Sequence, residues 1–404
     1  MNRSVAIVGQ GYVGLPLAVE AAKAGWRVIG YEKSERLVAS LNNGVSHVED
    51  IGNDILMDLL KNGSYYATSS PKDIAECEYV VLCVPTPLNS EREPDLSILK
   101  NAVLEISGII KEDVTLISES TSYPGTVNSF IKDILKSTRQ DRGNRVLLCS
   151  APERVDPINK VYKMRNTPRL LSGESDAATQ SAYKFYSSFC DNVIIVSSPL
   201  VAEFAKLLEN TFRQVNIALI NQLTPYIRSM GVDVREVVDA AGSKPYGFMK
   251  FYPGAGPGGH CIPIDPLYLS WSADKAGYDL SIIKEADRVN NSMAEYVVNR
   301  VIGFGGVKKV LLVGVAYKSN IGDIRESSSL RVGEIFNNLG VEVLWYDPLV
   351  ERYPVGKAFH NNDQIDAAVL LVRHDEMDLT FLVNKNVPVL DCTGTISEGN
   401  VYPL

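Results

Sequence analysis

The chain holds little of what marks several common protein classes. It has six cysteines in 404 residues, at 77, 83, 149, 190, 261 and 392, and no two of them stand in a CxxC spacing. That scatter argues against a disulfide framework. Four of the six lie in or beside apolar, strand-like runs, where a reduced core thiol is the expected state, and a cytoplasmic location follows. The four histidines, 47, 260, 360 and 374, are too dispersed to suggest a metal site. There is no basic excess: the formal net charge is −8, which argues against a nucleic-acid partner. No apolar run approaches the roughly 20 residues of a membrane span. The apolar N-terminus is interrupted by Gly9, Gly11 and Gly14 and does not read as a signal peptide.

What remains is an ordinary globular composition, 45% hydrophobic and 22% charged, in a chain long enough for two or three domains with cores of their own. Residues 4–32 read as strand, tight turn, helix, strand. Val5-Ala6-Ile7-Val8 is the first apolar run, Gly9-Gln10-Gly11-Tyr12-Val13-Gly14 the turn, residues 15–24 a helix, and Val28–Glu32 the second strand. Further strands are expected at 79–84, 114–118 and 146–149 with helices between them, which implies a parallel sheet covered on both faces. A long helical pattern runs from about Leu200 to Met230, with Pro225 as a possible kink, and helical pattern returns over 283–303. These helices read as a middle domain and a spine. The last third echoes the opening: Val310–Gly314 repeats Val5–Gly9, and Gly340–Asp347 repeats Gly25–Glu32. The second copy carries about ten extra residues after its first strand, within 318–329. It has lost the glycine pattern and gained a polar, partly basic loop suited to another phosphorylated ligand.

A GxGxxG pattern after a strand and opening a helix, with an acid at the end of the next strand, is a dinucleotide-binding arrangement. The glycines allow a tight turn and close approach of a pyrophosphate to the helix N-terminus. Glu32 would bind the adenosine ribose hydroxyls and repel a 2′-phosphate, so NAD is expected rather than NADP, although Lys33 stands beside it. Gly9, Gly11, Tyr12, Val13, Gly14, Glu32 and Lys33 are therefore candidate cofactor residues. Strand ends at Cys83-Val84-Pro85-Thr86-Pro87 and Glu119–Thr126 belong to the crevice of such a sheet, and Pro85, Thr86, Ser120 and Thr121 are further candidates. The alternative for the second is a hydroxyl-rich turn that caps a helix.

Three other stretches carry chemistry. Residues 252–268, Tyr-Pro-Gly-Ala-Gly-Pro-Gly-Gly-His-Cys-Ile-Pro-Ile-Asp-Pro-Leu-Tyr, place a thiol, Cys261, in a glycine-rich loop with Asp265 four residues on. A thiol in so weakly hydrophobic a loop is reachable and open to activation, and reads as a nucleophile. Glu153, between Pro152 and Arg154, is a candidate general base; the alternative is a surface salt bridge. Lys206 and Asn210, four apart on a helix, share a face and suit a developing oxyanion, against a lysine snorkelling along an amphipathic helix. Lys318 and Arg325 suit a pyrophosphate, against a solvated basic loop.

In this order the motifs resemble the nucleotide-sugar 6-dehydrogenases, the family of UDP-glucose and GDP-mannose dehydrogenases. The likeness covers GxGYVG at 9–14, VPTP at 84–87, ESTSYPGT at 119–126, PER at 152–154, KLLEN at 206–210, GGHCIPIDP at 258–266 and AYKSNIGDIRESS at 316–328. It implies an α/β chain in three parts: a Rossmann domain for NAD over 1–198, a helical middle domain carrying the cysteine loop over 199–303, and a Rossmann-like domain for the UDP-sugar over 304–404. It implies a homodimer through the middle helices. By the same resemblance Cys261 is the nucleophile, Lys206 and Asn210 hold the oxyanion, and Asp265 stands near the thiol and a water. Glu153 serves thioester hydrolysis, and Ser122 supplies a hydroxyl where many members have threonine. Arg325 meets the cofactor, and Arg154, Lys244, Tyr252, Gly258, His260 and Lys318 meet the substrate. GGHCIPIDP, PER and the Lys244–Phe248 segment are similar to the branch acting on UDP-N-acetylhexosamines, UDP-N-acetylglucosamine above all, whose uronates usually feed bacterial surface polysaccharides. The implied alternatives are the UDP-glucose, UDP-N-acetylgalactosamine and UDP-N-acetylmannosamine enzymes. More distant are a two-electron β-hydroxyacid dehydrogenase, which needs neither Cys261 nor residues 310–347, and a non-catalytic nucleotide-sugar sensor.

Overall fold

The computed structural model describes residues 3–139, 146–156, 159 and 161–404; Pro157, which closes the PER-containing stretch, lies outside them. The chain forms two compact units, 1–209 and 210–404.

The first unit runs β1 Ser4–Val8, α1 Gly14–Lys23, β2 Arg27–Tyr31, α2 Glu35–Asn42, α3 Asn53–Lys61, β3 Tyr65–Thr68, β4 Tyr79–Leu82, α4 Ser97–Ser107, β5 Thr115–Ser118, α5 Lys132–Arg139, β6 Leu147–Ser150, β7 Arg169–Gly173, α6 Asp176–Tyr186 and β8 Val193–Ile195. The strands form one sheet in the order 3-2-1-4-5-6-7-8, parallel at every pairing except β6 with β7. Strands covered on both faces read as continuous apolar runs. Ala6-Ile7-Val8 and Val80-Val81-Leu82 are fully buried, as that rule requires. The outer part of this core is aromatic: Trp26 meets Tyr79 and Phe185 edge-on at 5.1 and 5.0 Å, and its indole N–H donates to Ser188 Oγ at 2.8 Å. The 3-2-1-4-5-6 order puts the switch in chain direction between β1 and β4, where a doubly wound sheet opens its ligand crevice.

Helix α7, Pro199–Ser229, is the expected spine. It runs 31 residues and continues through Pro225.

The second unit follows with α8 Val234–Ala241, α9 Asp265–Lys275, α10 Ser281–Ile302, β9 Lys309–Val313, α11 Ser328–Asn338, β10 Glu342–Tyr346, β11 Lys357–Ala358, β12 Ala367–Leu370, α12 Thr380–Asn384, β13 Val389–Asp391 and β14 Val401–Pro403. Its six strands are all parallel, in the order 11-10-9-12-13-14. Val297, Val298 and Val301 of α10 and Val332 and Phe336 of α11 pack with Val310 and Leu312 of β9. The internal echo is therefore structural. Gly9 (φ +91°) ends β1, and a Cβ there would meet Cys83 O at 2.6 Å; Gly314 (φ +71°) ends β9, and a Cβ there would meet Val372 O at 1.8 Å. Both positions need the conformational freedom and the missing side chain of glycine.

Candidate active site

In the first unit the glycine turn is built for a ligand with a charged backbone. Gly14 opens α1, and a Cβ on it would lie 1.8 Å from Gly9 O, so strand and helix meet too closely for any side chain. Around Gly11 the opposite holds: nothing lies within 4 Å of an added Cβ, leaving the backbone open to close approach. The N-cap residue, Val13, gives α1 no side-chain cap and no acid stands in its first turn, so its first N–H groups and the positive end of the helix dipole suit an anion. Tyr12 packs edge-on to His47 at 6.4 Å. Glu32, half-buried beyond the end of β2, accepts from the backbone N–H of Gln10 at 3.1 Å and of Ser34 at 3.0 Å. Lys33 is exposed and pairs with Glu105 at 3.2 Å. Sequence reading did not single out Gln10. It is fully buried, donates to Ile7 O and accepts from the Tyr65 hydroxyl at 2.9 Å, bracing the turn from below. These residues fit a dinucleotide.

The two strand ends are tied to each other. Ser120 Oγ donates to Val84 O at 2.8 Å and accepts from Val84 N at 3.0 Å, and Thr86 Oγ1 donates to Thr121 O at 2.5 Å. Pro85 lies between these clasps, and Ser122 beside them is buried. The segment is anchored further on by Glu203 of α7, whose carboxylate accepts from the N–H groups of Gly125 and Val127 at 2.6 and 3.0 Å. Burial pushes Glu203 up to about 7 despite those bonds.

Glu153 is ion-paired, but not at the surface and not with its neighbour. Its Oε2 lies 2.9 Å from Arg169 in the interior, and its Oε1 accepts from the N–H groups of Arg154 and Val155 at 2.7 and 2.5 Å. Burial pushes this carboxyl up, but Arg169, the Val155 N–H and Lys206 outweigh it, so it is held below its ordinary value and ionised. The Arg154 guanidinium turns instead to Glu209 at 2.6 Å and to Pro168 O at 2.8 Å. Lys206 is 8% exposed, which rules out the snorkelling lysine. Arg169, Glu119 and Tyr186 complete the cluster; motif reading quoted Glu119 only as the start of a strand-end stretch and passed over the other two. One signal was available: a charged residue opens the otherwise apolar strand Arg169-Leu-Leu.

In the second unit Cys261 is the one exposed cysteine; the other five are buried. Desolvation pushes the buried thiols up, Cys77 and Cys190 to about 11, leaving them protonated and inert. Cys261 O accepts from the N–H groups of Ile264 and Asp265 at 3.1 and 2.8 Å. The four-residue spacing is thus one helical turn into α9, whose first residue is Asp265. Asp265 is 4% exposed and accepts from the Asn210 amide at 2.5 Å.

The glycines before the thiol make room for another motif. Added Cβ atoms on Gly258 and Gly259 would meet Tyr317 at 2.9 and 2.7 Å. The GGHC and AYKSNIGDIRESS stretches therefore pack directly on each other. His260 meets Tyr317 edge-on with ring centroids 6.3 Å apart, and its Nε2 is 3.3 Å from Asp323, which also holds Arg325 at 2.6 Å. Lys244 and Tyr252 engage their own segment: Lys244 stands over the Tyr246 ring at 4.7 Å, while Tyr252 donates to Asp239 at 2.7 Å under Arg235. Lys318 lines a cleft of about 630 Å³ with Arg373, His374, Asp375, Thr393 and Thr395, at the C-terminal ends of β9, β12 and β13.

Asp347 holds the place in the second copy that Glu32 holds in the first, but its carboxylate is used internally. It accepts from the N–H groups of Val315, Ala316 and Leu349 at 2.8, 3.0 and 2.9 Å and meets His374 Nε2 at 3.0 Å. The first two loop amides after Gly314 are thus filled from within the protein.

Sequence models of the UDP-glucose/GDP-mannose dehydrogenase family match three successive stretches: the NAD binding domain over residues 3–190, the central domain over 200–292 and the UDP binding domain over 311–398. The chain belongs to this family. It is an NAD-dependent nucleotide-sugar dehydrogenase, an oxidoreductase. Among its relatives, a UDP-N-acetyl-D-mannosamine dehydrogenase of Pyrococcus horikoshii is 33% identical over 86% of this chain and 84% of that one. A UDP-N-acetyl-D-glucosamine 6-dehydrogenase of Pseudomonas aeruginosa is 32% identical over 92% and 90%. A solved structure of the UDP-D-ManNAc dehydrogenase from Pyrococcus horikoshii matches with a TM-score of 0.90 at 29% identity, covering 99% of this chain and 98% of that one. The dinucleotide turn lies inside the family's NAD binding domain, and the Lys318 cleft inside its UDP binding domain. Among the described residues, no helix is long and apolar enough to cross a membrane, and no three His, Cys, Asp or Glu side chains gather as a metal site.

Proposed function

We propose that this dehydrogenase oxidises the C6 alcohol of a UDP-N-acetylhexosamine, UDP-N-acetylglucosamine first, by four electrons to the uronic acid through a thioester on Cys261. The observation that carries the reading is the one-turn link from the exposed thiol to a buried Asp265 held by Asn210. UDP-N-acetylmannosamine is the second reading, favoured by the likeness to the Pyrococcus enzyme.

NAD, when bound, supplies the hydride acceptor for each oxidation. The protein does the rest. The first oxidation leaves a C6 aldehyde on the sugar; the Cys261 thiolate adds to it, forming a carbon–sulfur bond and an oxyanion. Lys206, with its ammonium charge, and the second N–H of Asn210, the first being given to Asp265, stabilise that oxyanion. Removal of the second hydride leaves a thioester. Water oriented by Asp265 then attacks the thioester carbon while Glu153 takes its proton; the carbon–sulfur bond breaks, and the thiolate leaves with the uronate released. The covalent bond keeps the aldehyde from escaping between oxidations. Lys318 and Arg373 bind the diphosphate of UDP, with Thr393 and Thr395 beside them. His260 and Gly258 shape the sugar side of the thiol loop, and Arg325, held by Asp323, is the residue assigned to the cofactor. Ser122 holds a water or a sugar hydroxyl.

The enzyme works as a homodimer. Phe204, Leu208, Phe212, Leu219, Leu223 and Tyr226 form an exposed apolar stripe along α7, more than a soluble helix leaves uncovered; a second copy covers it. Five buried thiols and no disulfide among the described residues suit the cytoplasm.

The test is NADH formation with purified enzyme, NAD and a panel of UDP-N-acetylglucosamine, its galacto and manno epimers, and UDP-glucose. Two NADH per N-acetylated sugar, little from UDP-glucose, and loss of uronate in Cys261→Ser are expected. One NADH per sugar would withdraw the covalent route, and preference for the manno epimer would move the assignment to the second reading.

A further inference from the structure

Glu153 has a difficulty as a base. Both its oxygens are occupied, and one faces a buried guanidinium. A carboxylate paired with arginine holds its charge and takes up a proton reluctantly. The structure places a second carboxylate on the same guanidinium. Arg169 Nη1 is 3.0 Å from Glu119 Oε2, as Nη2 is 2.9 Å from Glu153 Oε2. All three side chains are buried: Glu119 is 1% exposed, Arg169 3% and Glu153 8%. We propose that Glu119 is a positioning residue for thioester hydrolysis, dividing the charge of Arg169 so that Glu153 stays aligned and basic enough to take the proton of water. This rests on the reading of Glu153 as the hydrolytic base.

The geometry suits that role. Glu119 follows β5, Arg169 opens β7 and Glu153 follows β6, so three adjacent strands fix the three groups. The Tyr186 hydroxyl of α6 donates to Glu119 Oε1 at 2.5 Å, and the Arg169 guanidinium stacks over the same ring at 5.0 Å. The remaining guanidinium contacts, Ala151 O at 3.3 Å and Met164 Sδ at 2.7 Å, are neutral. The other titratable neighbours are the thiols of Cys83 and Cys190, both pushed up chiefly by burial and therefore uncharged, and Lys206, which faces Glu153 from α7. One guanidinium therefore serves two carboxylates whose affinities for a proton differ: Glu119 is pushed up to about 7, chiefly by burial, and Glu153 is held down. When Glu119 is ionised it takes part of the positive field that otherwise falls on Glu153. When it is neutral, Glu153 bears that field alone and is a weaker base. A purely structural ion pair would not make that distinction.

The experiment compares pH profiles of kcat for wild type, Glu119→Gln and Tyr186→Phe at saturating NAD and UDP-sugar, with intact-mass detection of acyl-enzyme. Glu119→Gln leaves a neutral partner. The rise in rate near pH 7, where wild-type Glu119 ionises, is expected to disappear, the plateau to fall several-fold, acyl-enzyme to accumulate, and KM for NAD to stay unchanged. Tyr186→Phe deletes one hydroxyl, keeps Glu119 protonated to higher pH, and moves that rise upward, which tests the proposal should Glu119→Gln fail to fold. Glu119→Asp keeps the charge and restores most of the plateau. Profiles that superpose on wild type overturn the proposal. Glu153→Gln separates the two levels: acyl-enzyme building up there while the Glu119 profiles stay in place removes this inference alone, whereas no acyl-enzyme in Glu153→Gln removes the role of Glu153 itself.

Discussion

The side-chain amide of Asn210 donates to the carboxylate of Asp265 at 2.5 Å, across 55 residues of sequence. The bond joins the middle of α7 to the first residue of α9, one turn after the exposed thiol. It fixes which way the Asn210 amide points, leaving its second N–H for a ligand, and gives a buried carboxylate a charge-assisted partner. Asn210→Ala removes both functions. Loss of one oxyanion donor costs on the order of 10²–10³ in kcat. Loss of a donor to a buried carboxylate costs about 1–3 kcal/mol of stability. Steady-state rates and denaturant unfolding check the two, and KM for NAD should stay as it is. A rate within a factor of three of wild type would remove Asn210 from the oxyanion site.

Gly11 and Gly14 belong to one motif and separate its two jobs. A Cβ on Gly14 would sit 1.8 Å from Gly9 O, backbone against backbone, and one on Gly11 would stand in open space. Gly14→Ala therefore destabilises the first unit, by roughly 3 kcal/mol, and lowers Tm with or without NAD. Gly11→Ala leaves Tm unchanged without NAD and raises KM for NAD ten-fold or more, because its methyl occupies the approach of the pyrophosphate. Thermal unfolding and NAD titration distinguish them. Equal losses of stability in both variants would mean that the turn serves packing alone.

Both the turn and the thiol loop were legible because their physics is local. Positive φ, close packing and a one-turn spacing are written in consecutive residues. So were the central strands of the first sheet and the opening strands of the second, since strands buried on both faces leave unbroken apolar runs, and the spine, predicted over Leu200–Met230 and observed over Pro199–Ser229; the antiparallel pairing of β6 with β7 was not. The ion pairs were not legible. Arg169 finds Glu119 and Glu153, and His260 finds Asp323, through strand order and loop packing. No periodicity specifies a partner so far along the chain. Glu153 shows the consequence: the neighbouring Arg154 suggested a local surface pair, whereas the sheet supplied a buried one. Asp347 shows the reverse hazard. Its position echoes Glu32, but three backbone N–H groups and His374 consume the carboxylate.

Glu203 makes stability fall as pH rises. Its carboxyl is pushed up to about 7, chiefly by burial, against an ordinary 4.5. Between those values the folded state binds more protons than the unfolded state, so unfolding free energy declines with pH. This contribution is complete below about 4.5, is lost as pH rises to about 7, and is flat above that. A shift of this size corresponds to about 3 kcal/mol, and Glu119 acts in the same direction. Unfolding midpoints measured from pH 5 to 8 should decline in wild type and decline less steeply in Glu203→Gln, which forfeits one of the two N–H bonds to residues 125 and 127. Parallel curves would show that Glu203 does not titrate with folding.

Asn320 holds the cleft of the second unit in shape. It is one of the few non-glycine residues at positive φ, +64°. Its N–H donates to His374 Nδ1 at 2.7 Å, and its Oδ1 accepts from the N–H of Asp375 at 2.9 Å. Because Nδ1 accepts, Nε2 carries the imidazole proton and donates to Asp347. Asn320 thereby ties the Lys318 loop to the Arg373–Asp375 segment, and both line the cleft. Asparagine is suited to this because it tolerates the left-handed region and supplies the acceptor. Asn320→Ala loses both advantages and Asn320→Gly loses only the acceptor. The two variants separate strain from recognition. If the side-chain acceptor sets the wall, both raise KM for the UDP-sugar, by about five-fold for 1 kcal/mol of lost alignment, and only the alanine variant also lowers Tm. If backbone strain is all that matters, the glycine variant binds the UDP-sugar as wild type does.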